Sequence, residues 1–269
     1  MKNLKENGTL KVMTYNLRNN SDVPPNSWEE RKGLIQSLIH REKPDIMGTQ
    51  EGLYPQVKDM EVLLPEYGWL GIGRDGGSHG EFMTIYYRKN RFEIMEFNNH
   101  FWLSDTPDRI GSATWGNHCT RMATWVHLFD KKTKQAFYHV NTHLDHESER
   151  ARVNGAKLII RKTDEFQMNL PIILTGDFNT VAGTETHQTF LQEGKYIDTW
   201  ADTSKRTNEN LGTFNNFEDP SGGNGRIDWI LHRGKITTSS VQIVDDKVNG
   251  RFPSDHFPLI ANLQFSKDD

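Results

Sequence analysis

The chain has very little cysteine, no long apolar run and no excess of positive charge. Cys119 is the only cysteine among 269 residues, so an intrachain disulfide is excluded. A single thiol is typical of a reducing compartment, and residues 1–18 contain no apolar stretch of signal-peptide length. No apolar run elsewhere approaches the length of a membrane span. We therefore expect a cytoplasmic protein that does not insert into a membrane.

The balance of charge restricts the class of ligand. The 32 Lys and Arg residues and 36 Asp and Glu residues leave a formal net charge of −4. Such a chain has no overall basic field that would hold long nucleic acid through counterion release. This argues against a tight, sequence-independent DNA-binding protein, but it leaves open a nuclease with a locally positive cleft.

Two common signatures of bound ligands are missing as well. The chain contains no Walker sequence and no pair of cysteines, and His143 and His146 do not belong to a His-Glu-x-x-His helix. The sequence therefore gives no indication of a zinc site. If a metal is bound, we expect a harder cation with oxygen ligands.

What the chain does contain is typical of one globular α/β domain. Hydrophobic residues make up 35% and charged residues 25%, and no internal repeat or linker divides residues 1–269. Strand-like segments such as 9–17 alternate with helix-like segments at 27–43 and 147–167. Several strands follow one another as hairpins. This order predicts a pair of mixed sheets flanked by helices rather than a doubly wound parallel sheet.

The most informative pattern is that polar residues stand where predicted strands end or begin. In chain order these residues are Asn16, Gln50, Glu51, Asn141, His143, Asp177, Asn179, Asp228, Asp255 and His256. Ligands of sheet proteins collect beside strand ends, where loops present polar groups from a rigid scaffold. We therefore expect these side chains to share one site.

The residue types fit the hydrolysis of a phosphoester. Mg²⁺ takes oxygen ligands, including one or two carboxylates, and a positioned base is needed to activate water against an anionic ester. A His held by an Asp has a fixed tautomer and a stabilised imidazolium, and Asp228 with His256 would form such a pair. Taken alone, each residue has a simpler explanation. Asp177-Phe-Asn179 is also a common Asx-turn, and Glu51 alone would be a solvated surface acid.

Together the segments resemble a known family. The resemblance is carried by "TYN" at 14–16, "PDIMGTQE" at 44–51, "NTHLD" at 141–145, "LTGDFN" at 174–179, "RIDWIL" at 226–231 and "SDHFPL" at 254–259. This ordered series resembles the endonuclease/exonuclease/phosphatase (DNase I-like) superfamily over nearly the whole chain, and within it a bacterial branch that acts on small substrates. The resemblance implies a four-layered α/β sandwich and phosphoester hydrolysis with Mg²⁺ or Mn²⁺.

The resemblance also implies roles for individual residues. Glu51 resembles the principal metal ligand, with Asn16 and Asp255 near the metal. Asp177 and Asn179 resemble the pair that orients the attacking water and holds a phosphate oxygen.

The remaining residues of the set are also given roles by the resemblance. His143 resembles a phosphate-contacting histidine, and Asp228 with His256 resembles the pair that acts at phosphorus. Whether Asp177 or His256 is the general base stays open.

One position departs from the family pattern. Some relatives carry an acid two residues after the first-strand Asn, and here that position is Arg18, so we expect one tightly bound metal. Arg121, at the start of a strand, is expected to contact substrate phosphate, and Glu81 to anchor it or face the metal. Trp102, Trp115 and Trp125 are assigned to the core or rim, while one of them at the pocket mouth would suit a sugar or base ring; His79 and His118 are assigned to surface loops.

These observations favour a Mg²⁺-dependent or Mn²⁺-dependent phosphodiesterase or phosphatase. The expected substrate is small to medium in size, such as a phosphorylated sugar, inositol, nucleotide or short nucleic acid, and no protein partner is implied. A true nuclease on DNA or RNA is the second hypothesis, and rows of Lys and Arg around the carboxylates would distinguish it. A scaffold protein that kept the fold and lost the chemistry is the third.

Overall fold

A computed structural model describes residues 8–266. Its helices are α1 Trp28–Glu42, α2 Tyr54–Leu63, α3 Glu149–Asp164 and α4 Glu185–Gln192. Its strands are β1 Thr9–Asn16, β2 Ile46–Gln50, β3 Tyr67–Leu70, β4 Ile85–Arg88, β5 Phe92–Trp102, β6 Met122–Asp130, β7 Gln135–His143, β8 Ile172–Asp177, β9 Ile197–Asp198, β10 Arg206–Thr207, β11 Asp228–Arg233, β12 Ile236–Ile243 and β13 Leu259–Phe265.

The strands form two mixed sheets that pack face to face. One is seven-stranded in the order β10-β12-β13-β1-β2-β4-β3, and the other is six-stranded in the order β5-β6-β7-β8-β11-β9. The seven-stranded sheet contains two parallel pairs, β1 with β2 and β10 with β12, and the six-stranded sheet contains one, β7 with β8; the other pairs are antiparallel. Helices cover both outer faces, so the predicted four-layered sandwich is confirmed.

Each of the three interfaces between layers has its own apolar cluster. Between the sheets, Val12 of one sheet packs in the same cluster as Ile173 and Ile230 of the other. On the outer faces, α1 buries Ile35 against the first sheet, and α3 buries Ile159 against the second. Every helix within residues 8–266 is too short or too polar to span a bilayer.

The two long helices begin close to the predicted positions but are held differently. Ser27 occupies the N-cap position of α1, but its side chain makes no capping hydrogen bond. In α3 the Ser148 hydroxyl accepts a hydrogen bond from the Ala151 N–H at 3.2 Å. The helix begins later than predicted because Asp145 accepts hydrogen bonds from the N–H groups of Glu147 and Ser148, which fixes a turn there.

A buried polar layer joins the two sheets beneath their central strand ends. Gln50 Nε2 of β2 donates to Asn141 Oδ1 of β7 at 2.8 Å, and Asn141 Nδ2 donates to the Thr49 carbonyl at 2.8 Å. Thr175 Oγ1 donates to the same Asn141 oxygen at 3.1 Å, and His139 Nε2 lies 2.9 Å from Thr175 Oγ1. The expectation that Gln50 and Asn141 belong to the site is therefore wrong. Both residues are fully buried between the sheets.

Gly48 lets the sheets approach closely at this layer. It lies within β2, and a Cβ built there would overlap Thr175 Oγ1 and the Asn141 side chain. A glycine inside a strand normally weakens the strand, so its presence in β2 is explained by the close contact.

We expect Gly48→Ala to destabilise the protein by about 3 kcal/mol, because the added methyl group has no space and the polar layer must move. Gly33→Ala is the matched control, since a Cβ at Gly33 meets nothing within 4 Å on an exposed helix face. Chemical denaturation of the two variants measures the difference. Equal stability of both would contradict the close-approach explanation.

His139 gives the polar layer a pH dependence. Burial lowers its pKa to about 3, so the folded protein excludes a proton that the unfolded chain binds near pH 6.5. The stability contributed by neutral His139 is therefore present above about pH 6.5 and is lost as pH falls toward 3, at up to about 1.4 kcal/mol per pH unit. Between pH 6.5 and 4, the free energy of unfolding of wild type should fall more than that of His139→Gln, as measured by denaturation. A difference that does not change with pH would contradict this assignment.

Candidate active site

A pocket of about 510 Å³ opens at the edge where the central strands of both sheets end. Most of the predicted site residues line it: Glu51, Arg121, His143, Asp177, Asn179, Asp255 and His256. Asn16 and Asp228 lie directly beneath and are fully buried. Strand register explains the gathering, because Asp177 of β8 is the pairing partner of both His143 in β7 and Asp228 in β11.

Asn16 bridges the two sheets at the base of this pocket. Its Nδ2 donates to Glu51 Oε1 at 2.9 Å and to Asp177 Oδ2 at 3.0 Å. Its Oδ1 accepts the Arg18 N–H at 3.0 Å. The amide therefore sets the separation of the two carboxylates, one from each sheet.

Asp177 is a buried acid of the pocket. Burial raises its pKa to about 7, and the neighbouring charge of Asp228 adds to the rise. Its Oδ1 accepts the Asn179 N–H at 2.9 Å, which is the Asx-turn expected from the sequence. A carboxylate with a pKa near 7 is suited to accept and release a proton near neutral pH.

His256 and Asp228 form a buried pair beside it. Nδ1 of His256 lies 2.9 Å from Asp228 Oδ2, and Nε2 lies 3.7 Å from Asp177 Oδ2. Burial alone would lower the pKa of His256, but the charges of Asp228 and Asp177 outweigh burial and raise it well above its usual value. The imidazole is therefore held as a cation.

His143 is held in the opposite charge state. Burial, together with the charges of Arg121 and Arg74, lowers its pKa well below the usual value. Its Nε2 lies 2.9 Å from Asn179 Nδ2, and Asn179 Nδ2 also donates to the Leu144 carbonyl at 3.0 Å. The pocket thus contains a neutral imidazole and a cationic one.

Glu51 and Asp255 supply the remaining carboxylates. Glu51 has a left-handed backbone (φ 65°), which turns its side chain toward the pocket at the end of β2. Burial raises the pKa of the Asp255 carboxyl, although the neighbouring charge of His256 opposes this; the charge of Glu51 raises it further. Ligand atoms of Glu51, His143 and Asp177 lie within 4.8 Å of one another, and Asp255 lines the same pocket. Buried acids that repel one another in this way fit a hard divalent cation.

Arg121 presents an unsatisfied guanidinium to the pocket. The residue is 3% exposed, and its Nε and Nη1 have no hydrogen-bond partner within residues 8–266. Nη2 lies 3.1 Å from His146 Nδ1. Burying a hydrogen-bond donor without a partner costs free energy, and an anionic ligand would supply the missing acceptors.

Glu81 is held mainly by a residue that sequence reasoning missed. Arg74 Nη1 donates to Glu81 Oε2 at 2.5 Å, whereas Arg121 Nη1 is 3.9 Å from the same oxygen. Asn19 Nδ2 donates to Glu81 Oε1 at 3.3 Å. Glu81 is thus an anchor of Arg74 first and of Arg121 second.

Other lining residues also lacked a sequence signal, because they come from loops rather than strand ends. They are His118, Cys119, His146 and Phe214. The three tryptophans considered for the mouth do not line it. The exposed aromatic there is Phe214, whose ring centroid lies 5.0 Å from that of His256. His118 is a surface residue as expected, but its surface is the pocket rim.

Comparison with known proteins gives this arrangement a context. An endonuclease/exonuclease/phosphatase family protein of Bacteroides thetaiotaomicron is 36% identical, with a TM-score of 0.91 over 97% of this chain and 99% of that one. A mannosyl-6-phosphatase of the same organism is also 36% identical, with a TM-score of 0.89 over 95% of this chain and all of the other. An uncharacterised protein of Acanthamoeba polyphaga mimivirus is 32% identical over 165 residues, which are 57% of this chain and 59% of that protein.

The match to a family model extends across the site described above. The model of the Endonuclease/Exonuclease/phosphatase family covers residues 13–256, which include every predicted site residue from Asn16 to His256. The chain therefore belongs to the endonuclease/exonuclease/phosphatase family.

Proposed function

We propose that this protein hydrolyses a phosphomonoester or phosphodiester of a small to medium phosphorylated substrate, using a divalent cation. The observation that carries the proposal is the contact of Asp177 with both the Asp228–His256 pair and the bridge from Asn16 to Glu51. The family consists of hydrolases of phosphoester bonds that use divalent metals, and a similar structure is a mannosyl-6-phosphatase.

The phosphate subsite consists of Arg121, Asn179 and His143. The two free donors of Arg121 match the oxygens of a phosphoryl group, and the Asn179 amide lies at hydrogen-bond distance from His143 on the same wall. Neutral His143 holds a phosphate oxygen without carrying a charge of its own. These three groups orient the phosphorus toward Asp177.

Asp177 acts as the general base in this proposal, and His256 as the cationic partner. With a pKa of about 7, Asp177 removes a proton from the attacking water near neutral pH. The raised pKa of His256 keeps its proton in place, so its Nε2–H stabilises negative charge at phosphorus. Asp228 accepts the Nδ1–H of His256 and so fixes the orientation of the ring.

Glu51 and Asp255, with Asn16 nearby, are the residues that would hold Mg²⁺ or Mn²⁺. When bound, such a cation neutralises phosphoryl oxygens and makes water easier to deprotonate. The carboxylates are preorganised without it, because Asn16 Nδ2 fixes Glu51 and Ser254 Oγ lies 3.3 Å from Asp255 Oδ1.

The charges around the pocket favour a compact substrate over long nucleic acid. The cationic side chains that line it, His aside, are Arg18, Arg74 and Arg121. Arg18 pairs with Asp22 and Arg74 with Glu81, whereas Arg121 keeps two buried nitrogens without hydrogen-bond partners among residues 8–266. A nuclease needs rows of Lys and Arg that follow several phosphates. A phosphorylated sugar, as in the similar mannosyl-6-phosphatase, fits the pocket better than a duplex.

The second hypothesis is a true nuclease on DNA or RNA, supported by exposed Phe214 at the mouth, which offers a ring for base stacking. We also infer one catalytic domain spanning residues 1–269. The lone thiol of Cys119 supports a cytoplasmic location.

Purified protein is expected to hydrolyse a phosphoester with Mg²⁺ or Mn²⁺ and to lose that activity in EDTA. The panel holds sugar phosphates, inositol phosphates, p-nitrophenyl phosphate, bis-p-nitrophenyl phosphate and plasmid DNA. Turnover of sugar phosphates above DNA supports the compact-substrate proposal, and efficient cleavage of plasmid DNA supports a nuclease. Turnover that persists unchanged in EDTA would contradict the metal-dependent mechanism.

His256→Ala is expected to lower kcat by about 10²–10⁴-fold, since the cation that faces phosphorus is lost. Circular dichroism should show an unchanged fold. His40→Ala is the matched control, because His40 is an exposed histidine of α1 that pairs with Glu66. If His256→Ala retains most of the wild-type kcat, the assigned role is wrong.

Glu51→Gln should weaken Mn²⁺ binding by more than tenfold, because it removes a carboxylate proposed to hold the cation. Calorimetric titration measures the Kd, and thermal denaturation in EDTA measures folding separately. Glu93→Gln, on an exposed position of β5, is the control for loss of a carboxylate. An unchanged Kd would remove Glu51 from the metal site.

A further inference from the structure

Arg18 occupies the position where some relatives carry an acid, and its guanidinium faces two acids of the pocket. Nη1 lies 3.9 Å from Glu51 Oε2 and 3.8 Å from Asp255 Oδ2. We propose that Arg18 is a fixed internal cation that competes with the divalent metal for Glu51 and Asp255, stabilising the metal-free protein and weakening metal binding. This inference rests on the metal-dependent function proposed above.

A third acid, Asp22, holds the Arg18 guanidinium in place. Nε of Arg18 donates to Asp22 Oδ2 at 2.8 Å, and Nη2 donates to Asp22 Oδ1 at 3.1 Å. This two-bond geometry leaves Nη1 as the nitrogen that faces the pocket. Arg18 is therefore held beside Glu51 and Asp255 without being bound by them.

The contacts to Glu51 and Asp255 act through charge and not through hydrogen bonds. Both exceed 3.5 Å, and each carboxylate has closer partners elsewhere. Asn16 Nδ2 and the Asn19 N–H hold Glu51 at 2.9 and 3.2 Å. Removing the Arg18 side chain thus removes a positive charge but leaves the two carboxylates in place.

The backbone of this segment is also independent of the Arg18 side chain. The Arg18 carbonyl accepts hydrogen bonds from Gln56 Nε2 at 2.9 Å and from Arg31 Nη2 at 3.1 Å. Arg31 directs its five donors to backbone carbonyls of residues 17, 18, 19, 26 and 253. Of these two arginines, Arg18 is the one whose guanidinium forms ion contacts with Glu51 and Asp255.

The sign of the effect follows from the charges. Glu51 and Asp255 repel each other, and the Asp255 side chain is 5% exposed, so water screens this repulsion poorly. Either a divalent cation or Arg18 relieves the repulsion. A divalent cation between the same carboxylates would lie close to the guanidinium and be repelled by it. Arg18 therefore favours the metal-free state relative to the metal-bound state.

The test measures Mn²⁺ binding by calorimetry and melting temperature in EDTA for wild type, Arg18→Gln and Arg18→Lys. Arg18→Gln should bind Mn²⁺ about tenfold more tightly, because a unit charge near both carboxylates is gone. In EDTA its melting temperature should fall by about 3 °C, with the difference narrowing at saturating Mn²⁺. Arg18→Lys, which keeps the charge, should lie between wild type and Arg18→Gln. Arg41→Gln, an exposed arginine of α1 paired with Asp246, controls for net charge and should match wild type.

The outcomes separate this inference from the proposed function. If wild type and Arg18→Gln bind Mn²⁺ with the same Kd, or if wild type binds it more tightly, Arg18 does not compete with the metal. The proposed metal-dependent function would still stand. Weaker binding in Arg18→Gln would mean that Arg18 organises the site. If neither wild type nor Arg18→Gln binds Mn²⁺, both this inference and the metal-dependent function fail.

Discussion

Burial of several acids in one pocket is the constraint on which the rest of the site depends. Asp177 and Asp228 are pairing partners at the ends of adjacent strands, and Glu51 reaches Asp177 from the other sheet through the Asn16 amide. Acids at this spacing cannot all be ionised without compensating charge. The raised pKa of Asp177, the cationic His256 and the position of Arg18 are physical consequences of this crowding.

The same constraint accounts for the close contact and the hydrogen bonds between the sheets where they meet. A site that holds like charges together needs a framework that does not relax. Gly48 allows the sheets to touch, and Asn141 joins Gln50 of one sheet to Thr175 of the other. The polar layer lies directly below the strand ends that carry the acids. The polar layer and the site therefore occupy neighbouring positions along β2, β7 and β8.

The sequence allowed prediction of the two-sheet architecture and of the residues at strand ends, because alternating strands end at polar residues that a buried sheet edge must bring together. The sequence did not show which polar residues near a strand end lie between the sheets and which lie in the pocket. Asn141 precedes His143 by two residues, about 7 Å, and that distance places Asn141 between the sheets and His143 in the pocket. Arg74 and Phe214 were missed because they come from loops whose path no periodicity encodes.

In the proposed function, these strand ends form one metal and phosphate site. A crystal structure with Mn²⁺ and inorganic phosphate, using anomalous scattering to place the metal, would show whether they do. We expect an anomalous peak between Glu51 and Asp255, with the phosphate in contact with Arg121, Asn179 and His143. A metal bound elsewhere, with these carboxylates unliganded, would contradict the account.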